Sequence, residues 1–129
     1  GSSPEIFNYY LDKGYRGIVL EGTGLGHVAS DWIDTIQRAS DLDVPVVVAS
    51  QCLRGRICDM VYDTGRYMID AGAIEGEDML PEVSLVKLMW VLGQTREPKQ
   101  AAALMQTNIA GEFSPRTFPQ DKIFEGASQ

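Results

Sequence analysis

The sequence predicts an α/β domain of three layers, in which a short parallel sheet lies between helices. Two apolar runs, Ile18-Val-Leu20 and Pro45-Val-Val-Val-Ala49, have the composition of strands buried on both faces of a parallel sheet. A helix is predicted between them, from about residue 30 to residue 42, with Ser30 as its N-cap. Strands that alternate with helices along the chain are typical of this class.

The size, charge and cysteine content restrict the class further. The chain has 129 residues, enough for one domain with its own core, and 44% of them are hydrophobic. The net charge of −7 argues against a grip on nucleic-acid phosphates. No apolar run approaches the roughly 20 residues of a membrane helix, and Gly1-Ser-Ser-Pro-Glu5 lacks the features of a secretory signal. Cys52 and Cys58 lack metal-type spacing, so we expect reduced thiols in a cytoplasmic protein, with a single disulfide left open.

Local signals predict the ends of the next elements. Ser3-Pro4-Glu5 predicts the start of a first helix, with a hydroxyl cap, a proline and an acidic residue, and Gly14 predicts its end. Residues 63–71 are predicted to form a third helix, which Gly72 closes. Ala73-Ile74 is predicted to be a short third strand.

The remaining third of the chain is predicted to be helical and then irregular. Pro81-Glu-Val-Ser84 predicts the start of a helix that stops at Gly93. Apolar residues cover most of its circumference, so we expect it to be largely buried. Glu97-Pro98 predicts a last helix through about Gln106, and the chain from residue 108 onwards is predicted to be irregular.

The first helix presents a packing problem. Its apolar residues fall on one face: Ile6, Phe7, Tyr10 and Leu11. Such a face needs a sheet to cover, and in a βαβ arrangement a strand precedes the helix. We therefore expect the first strand to be missing from this chain, lost upstream or supplied by other polypeptide.

A glycine-rich loop after the first strand is the candidate site. It consists of Gly22, Thr23, Gly24, Leu25, Gly26 and His27. Ligands of α/β sheets bind at the carboxyl ends of strands, and glycine lets a ligand or a neighbouring chain approach the backbone closely. A dinucleotide-binding turn needs glycine in place of His27 and an acidic residue in place of Ser50 or Gln51, so no nicotinamide or flavin cofactor is expected.

No complete catalytic or metal-binding set is predicted. His27 is the only histidine, either a hydrogen-bonding group at a loop end or interface or a base, and one histidine is too few for a zinc site. A triad of His27 with Ser30 or Ser50 and Asp31 lacks the G-x-S-x-G turn that would support it.

Three further groups of side chains have simple interpretations. Arg54 and Arg56 either bind a carboxylate or phosphate or lie exposed in a solvated loop. Capping and the helix dipole explain the acidic residues near the fourth helix: Glu77, Asp78 and Glu82. Three methionines are expected to fill the core: Met79, Met89 and Met105.

Three stretches resemble the C-terminal domain of the L-asparaginase family. They run from Gly14 to His27, from Ala73 to Glu82 and from Val86 to Gly93. The string Asp-Met-Leu-Pro-Glu, together with Asn108-Ile-Ala-Gly-Glu-Phe-Ser-Pro-Arg116, is most similar to the archaeal glutamyl-tRNA(Gln) amidotransferase members of that family. The resemblance covers about residues 3–124 and implies that residues 1–129 are an asparaginase-type C-terminal domain of a longer protein.

The resemblance implies a two-domain parent enzyme that hydrolyses the side-chain amide of asparagine or glutamine through an acyl-enzyme. The Thr nucleophile lies in Thr-Gly-Gly-Thr and Thr-Gly-Thr-Asp motifs of the N-terminal domain, and neither occurs here. The smaller domain packs against the N-terminal domain of a neighbouring subunit, in a homodimer within a hetero-oligomer, and residues 22–27 help to close that site. Bacterial members often have a substrate-contacting asparagine where this chain has His27, so the resemblance does not carry that contact over.

In the amidotransferase members, ammonia passes to a partner subunit that amidates Glu-tRNA(Gln) with ATP and Mg²⁺. The resemblance implies no cofactor and no nucleic-acid contact for this domain itself. Two alternatives stay open, the C-terminal domain of a plain L-asparaginase and a stand-alone interaction module with the same fold.

Overall fold

Three parallel strands form the centre of the computed structural model, which describes residues 2–57 and 63–115. The strands are β1 (Ile18–Gly22), β2 (Val46–Ser50) and β3 (Ala73–Glu75). Their order in the sheet is β1-β2-β3, and both neighbouring pairs are parallel. The predicted parallel α/β sheet is confirmed.

Helices cover both faces of this sheet. The described residues form five α-helices: α1 (Pro4–Asp12), α2 (Ile33–Asp41), α3 (Asp63–Asp70), α4 (Pro81–Gln94) and α5 (Pro98–Met105). Each lies within a few residues of its predicted position, because the hydroxyl, proline and glycine signals at helix ends act locally.

Alternation along the strands divides the core into two clusters. Val46 and Val48 of β2 pack with α1, α2 and α3 on one face, and Val47 packs with α4 and α5 on the other. All five residues of β2 are buried, as predicted. In β1, at the edge of the sheet, burial is complete only at Leu20 and Gly22, because an edge strand has fewer neighbours.

The first helix begins as predicted and is tied to the second. The Ser3 hydroxyl accepts a hydrogen bond of 3.3 Å from the Glu5 N–H, which caps α1. Arg38 of α2 donates to Asn8 at 2.6 Å and to Asp12 at 2.5 Å, so one guanidinium joins the two helices.

The prediction that Ser30 caps the second helix is wrong. A 3₁₀ turn spans Ser30–Trp32, and α2 begins only at Ile33 without a side-chain cap. Ser30 therefore lies inside the turn rather than in front of it, where its hydroxyl could accept from the helical N–H groups. Trp32 packs edge-on against Phe7 of α1, with ring centroids 6.1 Å apart.

The prediction that α4 is largely buried is also wrong. Leu88 and Val91 are buried, but Val86 and Met89 are each 66% exposed and Trp90 is 46% exposed. A helix that lies on a sheet buries only one stripe of its surface, and here the opposite stripe is apolar as well. Met89 is therefore not part of the core.

The end of α4 and the other methionines complete the comparison with the sequence. The helix continues past Gly93 to Gln94, because this glycine does not adopt the left-handed conformation that usually ends a helix. Met79 and Met105 are buried, as predicted.

The described C-terminal segment, residues 106–115, contains neither helix nor strand, in agreement with its prediction. Cys58 and the predicted irregular residues after 115 lie outside the described part, and Cys52 is a free, exposed cysteine. Among the described helices, none combines the length and the apolar character needed to cross a bilayer.

Candidate functional site

Three loops meet at the carboxyl edge of the sheet. Residues 22–27 follow β1, residues 51–57 follow β2, and residues 76–80 follow β3. Parallel strands place their carboxyl ends side by side, and this edge is where α/β domains bind ligands. The predicted glycine-rich site therefore lies beside two further loops.

The glycine-rich loop is closed by hydrogen bonds between its two ends. The Thr23 N–H donates to the His27 carbonyl at 2.9 Å, and the Thr23 carbonyl accepts from Gly26 and His27 at 2.9 and 3.1 Å. The Thr23 hydroxyl also donates to the His27 carbonyl, at 3.2 Å. The threonine thus shapes the loop, while the tip between these bonds, Gly24 and Leu25, remains exposed or half-buried.

Two glycines are required by close contacts beneath the loop. Gly26 has a φ of +101°, and a Cβ there would overlap Cδ1 of Ile57, whose side chain is fully buried. A Cβ on Gly22 would overlap the carbonyl group of Gly26. The loop can therefore lie against Ile57 only because these positions have no side chain.

Ser50 holds the same loop from the neighbouring strand. Its hydroxyl donates to the Gly24 carbonyl at 2.6 Å and accepts from the Cys52 N–H at 3.1 Å. This structural use of the hydroxyl argues against a nucleophilic serine paired with His27. The sequence indicated a polar residue at this strand end but not its contact across the sheet edge.

Arg56 connects the second loop to the third and to the C-terminal segment. Its guanidinium pairs with Glu77, lies 3.6 Å from Asp78 and donates to the carbonyl of Ser114. Its side chain is only 24% exposed, so the prediction of two exposed arginines holds for Arg54 alone.

The acidic residues before α4 do not cap the helix, which corrects their predicted role. The N-cap position is Leu80, without a side-chain hydrogen bond, and Glu82 alone lies in the first turn. Burial raises the pKa of Asp78, but hydrogen bonds from Ser114 and the charge of Arg56 outweigh it, so the pKa is lowered overall.

A second ion pair fixes the C-terminal segment on α4. Lys87, buried on α4, lies 2.5 Å from the Glu112 carboxylate and donates to the Thr107 carbonyl at 2.6 Å. Glu112 also accepts from the N–H groups of Ile109 and Ala110. Burial raises the pKa of Glu112, but these hydrogen bonds prevail and lower it to about 2.

An open groove of about 1020 Å³ extends from the glycine-rich loop along β1. Four consecutive strand residues, 18–21, line it together with Phe7 and Tyr10 of α1 and with Thr23 and His27 of the loop. Among the described residues, β2 is the one strand paired with β1. The loop is thus one end of a larger concave surface.

The residues predicted as candidate ligands do not converge on a metal site. Within residues 2–57 and 63–115, no group of three or more His, Cys, Asp or Glu side chains could hold a metal ion. His27 is half-buried at the end of the groove. The chemistry that this edge offers is therefore shape and hydrogen bonding from a rigid loop.

Known proteins share both the sequence and the fold. Residues 1–105 match the family model described as the glutaminase/asparaginase C-terminal domain. The D-type subunit of glutamyl-tRNA(Gln) amidotransferase from Methanosarcina barkeri is 63% identical over 92% of this chain, and that from Archaeoglobus fulgidus is 57% identical over 91%. The chain spans 28% of the length of each of these relatives.

Two solved structures have the same fold. The thermostable L-asparaginase from Thermococcus kodakarensis has a TM-score of 0.83 and 35% identity, covering 90% of this chain and 36% of its own. The L-asparaginase I from Vibrio cholerae has a TM-score of 0.80 and 32% identity, covering 89% of this chain and 35% of its own.

Proposed function

Since the chain belongs to the glutaminase/asparaginase C-terminal domain family, we propose that it is the C-terminal domain of an archaeal-type amidotransferase subunit. The parent enzyme would release ammonia from glutamine or asparagine, and a partner subunit would use it to convert Glu-tRNA(Gln) to Gln-tRNA(Gln). The observation that carries this proposal is the 63% identity to a protein with that name, against 35% and 32% for the two asparaginases.

In this proposal, the domain forms one wall of the active site and does not supply the nucleophile. The loop of residues 22–27 is held by Ser50 and Ile57 at the carboxyl edge, with its tip accessible to other polypeptide. A rigid wall contributes to catalysis by orienting the substrate and excluding water. The acyl-enzyme would form on a threonine of the N-terminal domain, as in the family that this sequence resembles.

Exposed apolar surface supports contacts with other polypeptide in the parent. Val86, Met89 and Trp90 of α4 are all at least 46% exposed, and Tyr9 and Tyr15 near α1 are 53% and 55% exposed. Contiguous apolar surface of this kind marks protein interfaces. The N-terminal domain, a second copy and the tRNA-amidating subunit are the expected partners, in the cytoplasm, with ATP and Mg²⁺ bound by the amidating subunit.

The free edge of β1 supports the expected additional strand. Residues 18–21 face the open groove beside α1, and a further parallel strand would pair with them and cover Phe7 and Tyr10. We propose that this strand belongs to the polypeptide of the longer parent protein.

Hydrolysis assays with the 129-residue chain and with the parent protein test the proposal. We expect the parent to release ammonia from glutamine or asparagine, and to support Gln-tRNA(Gln) formation with its partner, while the chain alone has no activity above background. Turnover by the isolated chain would overturn the proposal, because the reacting groups would then lie within it.

A pair of variants in the parent tests the role of the loop. Leu25→Arg, at the tip of the loop, should lower kcat/KM about tenfold by displacing the wall from the substrate. Leu53→Arg introduces the same side chain at a position that is 86% exposed on the neighbouring loop, and it should leave kcat/KM unchanged. Equal effects of both substitutions would argue against a wall formed by residues 22–27.

A plain L-asparaginase is the second candidate, because both solved structures described above are L-asparaginases. The two functions differ in substrate preference and in dependence on a partner. Glutamine turnover that increases with Glu-tRNA(Gln) and the amidating subunit supports the amidotransferase, whereas asparagine turnover indifferent to both supports the asparaginase.

A further inference from the structure

We propose that Arg56 is a positioning residue for the glycine-rich loop, holding Ile57 beneath Gly26 through its contacts with Glu77, Asp78 and Ser114. This inference rests on the proposed function, since it assigns a residue to the support of the proposed active-site wall. Arg56 itself touches neither the loop nor any expected substrate.

The anchor joins three separate parts of the chain. Arg56 pairs with Glu77, and its second terminal nitrogen donates to the Ser114 carbonyl and lies 3.6 Å from Asp78. Asp78 in turn accepts from the Ser114 N–H at 2.9 Å. A planar guanidinium can serve several acceptors at once in fixed directions, which an ammonium group does less well.

Ile57 transmits this anchoring to the loop. Its N–H donates to the Glu77 carbonyl at 2.9 Å, so backbone and side-chain contacts hold residues 56 and 57 to the same turn. The Ile57 side chain is fully buried and fills the space that a Cβ on Gly26 would need. If Arg56 is released, Ile57 loses one of its two restraints and Gly26 loses the surface on which it rests.

The C-terminal segment forms the opposite side of the anchor. Ser114 contributes its carbonyl to Arg56 and its N–H to Asp78, and the ion pair between Lys87 and Glu112 fixes the preceding residues on α4. The conformation of the loop after β1 is therefore coupled to a segment that lies about 90 residues later in the chain. Loop support from a distant segment is a reason for an arginine at position 56 that a solvated loop would not require.

Hydrogen exchange in the parent protein tests the support directly. Gly26 and His27 both donate to the Thr23 carbonyl, so their amides report on the closed loop. Arg56→Ala should accelerate exchange at these two amides by at least about tenfold, without the same change in the core of β2. Arg54→Ala removes the same charge from an exposed position two residues away and should leave exchange unchanged within about twofold.

Kinetics of the same variants give a second readout. We expect Arg56→Ala to lower kcat/KM for amide hydrolysis about tenfold, because a displaced wall positions the substrate poorly. Arg56→Lys should recover only part of both effects, since an ammonium cannot reproduce the forked contacts. This variant also decides the matter if Arg56→Ala does not fold, because it keeps the charge.

The outcomes separate this inference from the proposed function. Unchanged exchange at Gly26 and His27 in the Arg56 variants would overturn the positioning role, whatever the kinetics. Accelerated exchange with unchanged kcat/KM would retain Arg56 as the support of the loop and would instead count against the loop as an active-site wall.

Discussion

A Gly26→Ala substitution is expected to lower the free energy of unfolding by about 2–6 kcal/mol. The first contribution is the backbone, because a φ of +101° is a strained conformation for alanine and costs about 1–3 kcal/mol. The second is the overlap of the new Cβ with Cδ1 of Ile57, which has no exposed surface toward which to move. Overpacking of this kind costs about 1–3 kcal/mol.

Substitution of Ile57 should remove only the second contribution. Ile57→Val deletes Cδ1 and leaves the two Cγ atoms 3.2 and 3.4 Å from the new Cβ, which is tight but tolerable. Alone, Ile57→Val should cost about 0.5–1.5 kcal/mol. With Gly26→Ala, the pair should cost about 1–3 kcal/mol less than the sum of the single substitutions, because the overlap is gone.

Urea denaturation of the four proteins, followed by tryptophan fluorescence, measures this coupling. Gly24→Ala is the matched control, since Gly24 also has a positive φ, +53°, but a Cβ there meets nothing within 4 Å. It should show backbone strain and no rescue by Ile57→Val. Additivity of Gly26→Ala and Ile57→Val within about 0.5 kcal/mol would refute the contact between them.

Three more predictions concern stability. Lys87→Met should lower the free energy of unfolding by about 1–3 kcal/mol in urea, because the Glu112 carboxylate loses its cation. The pKa of Glu112 is lowered to about 2 from 4.5, so its stabilisation is present above pH 4.5 and is lost as the pH falls toward 2. Glu112→Gln should therefore flatten the dependence of Tm on pH in that window, and an unchanged slope would contradict the assignment. Gly76→Ala, whose Cβ would lie 2.6 Å from the Val48 carbonyl oxygen, should lower Tm, whereas Gly93→Ala, with open space around it, should raise Tm; changes of equal sign would count against both.

The sequence alone predicted those elements whose signals are local. The Val46–Ser50 strand follows from an uninterrupted apolar run, and the start of α1 follows from Ser3 and Pro4. The glycine-rich loop could be located for the same reason, because closely spaced glycines indicate a backbone that other atoms approach. In each case neighbouring residues in the sequence determine the result.

Features that depend on distant contacts could not be predicted. Nothing near Arg56 in the sequence indicates that its partners are Glu77 and Ser114, so a solvated loop was an equally good interpretation. The exposed stripe of α4 has a related cause, because apolar residues such as Val86 and Met89 predict burial whatever covers them. Ile57 gave no signal, since its role depends on a gap beneath Gly26 that only the fold creates.

The three consecutive valines of β2 leave its alignment with the other strands undetermined by hydrophobicity. Sliding the strand by one residue would move Val47 to the opposite face and bring its neighbours in its place, with no change in the chemistry of either cluster. The alignment must then be set where the valines end. There the Ser50 hydroxyl binds the Gly24 carbonyl and the Gln51 N–H binds the Gly22 carbonyl, at 2.6 and 2.9 Å. The bonds that shape the loop thereby also decide which valine belongs to which side of the sheet.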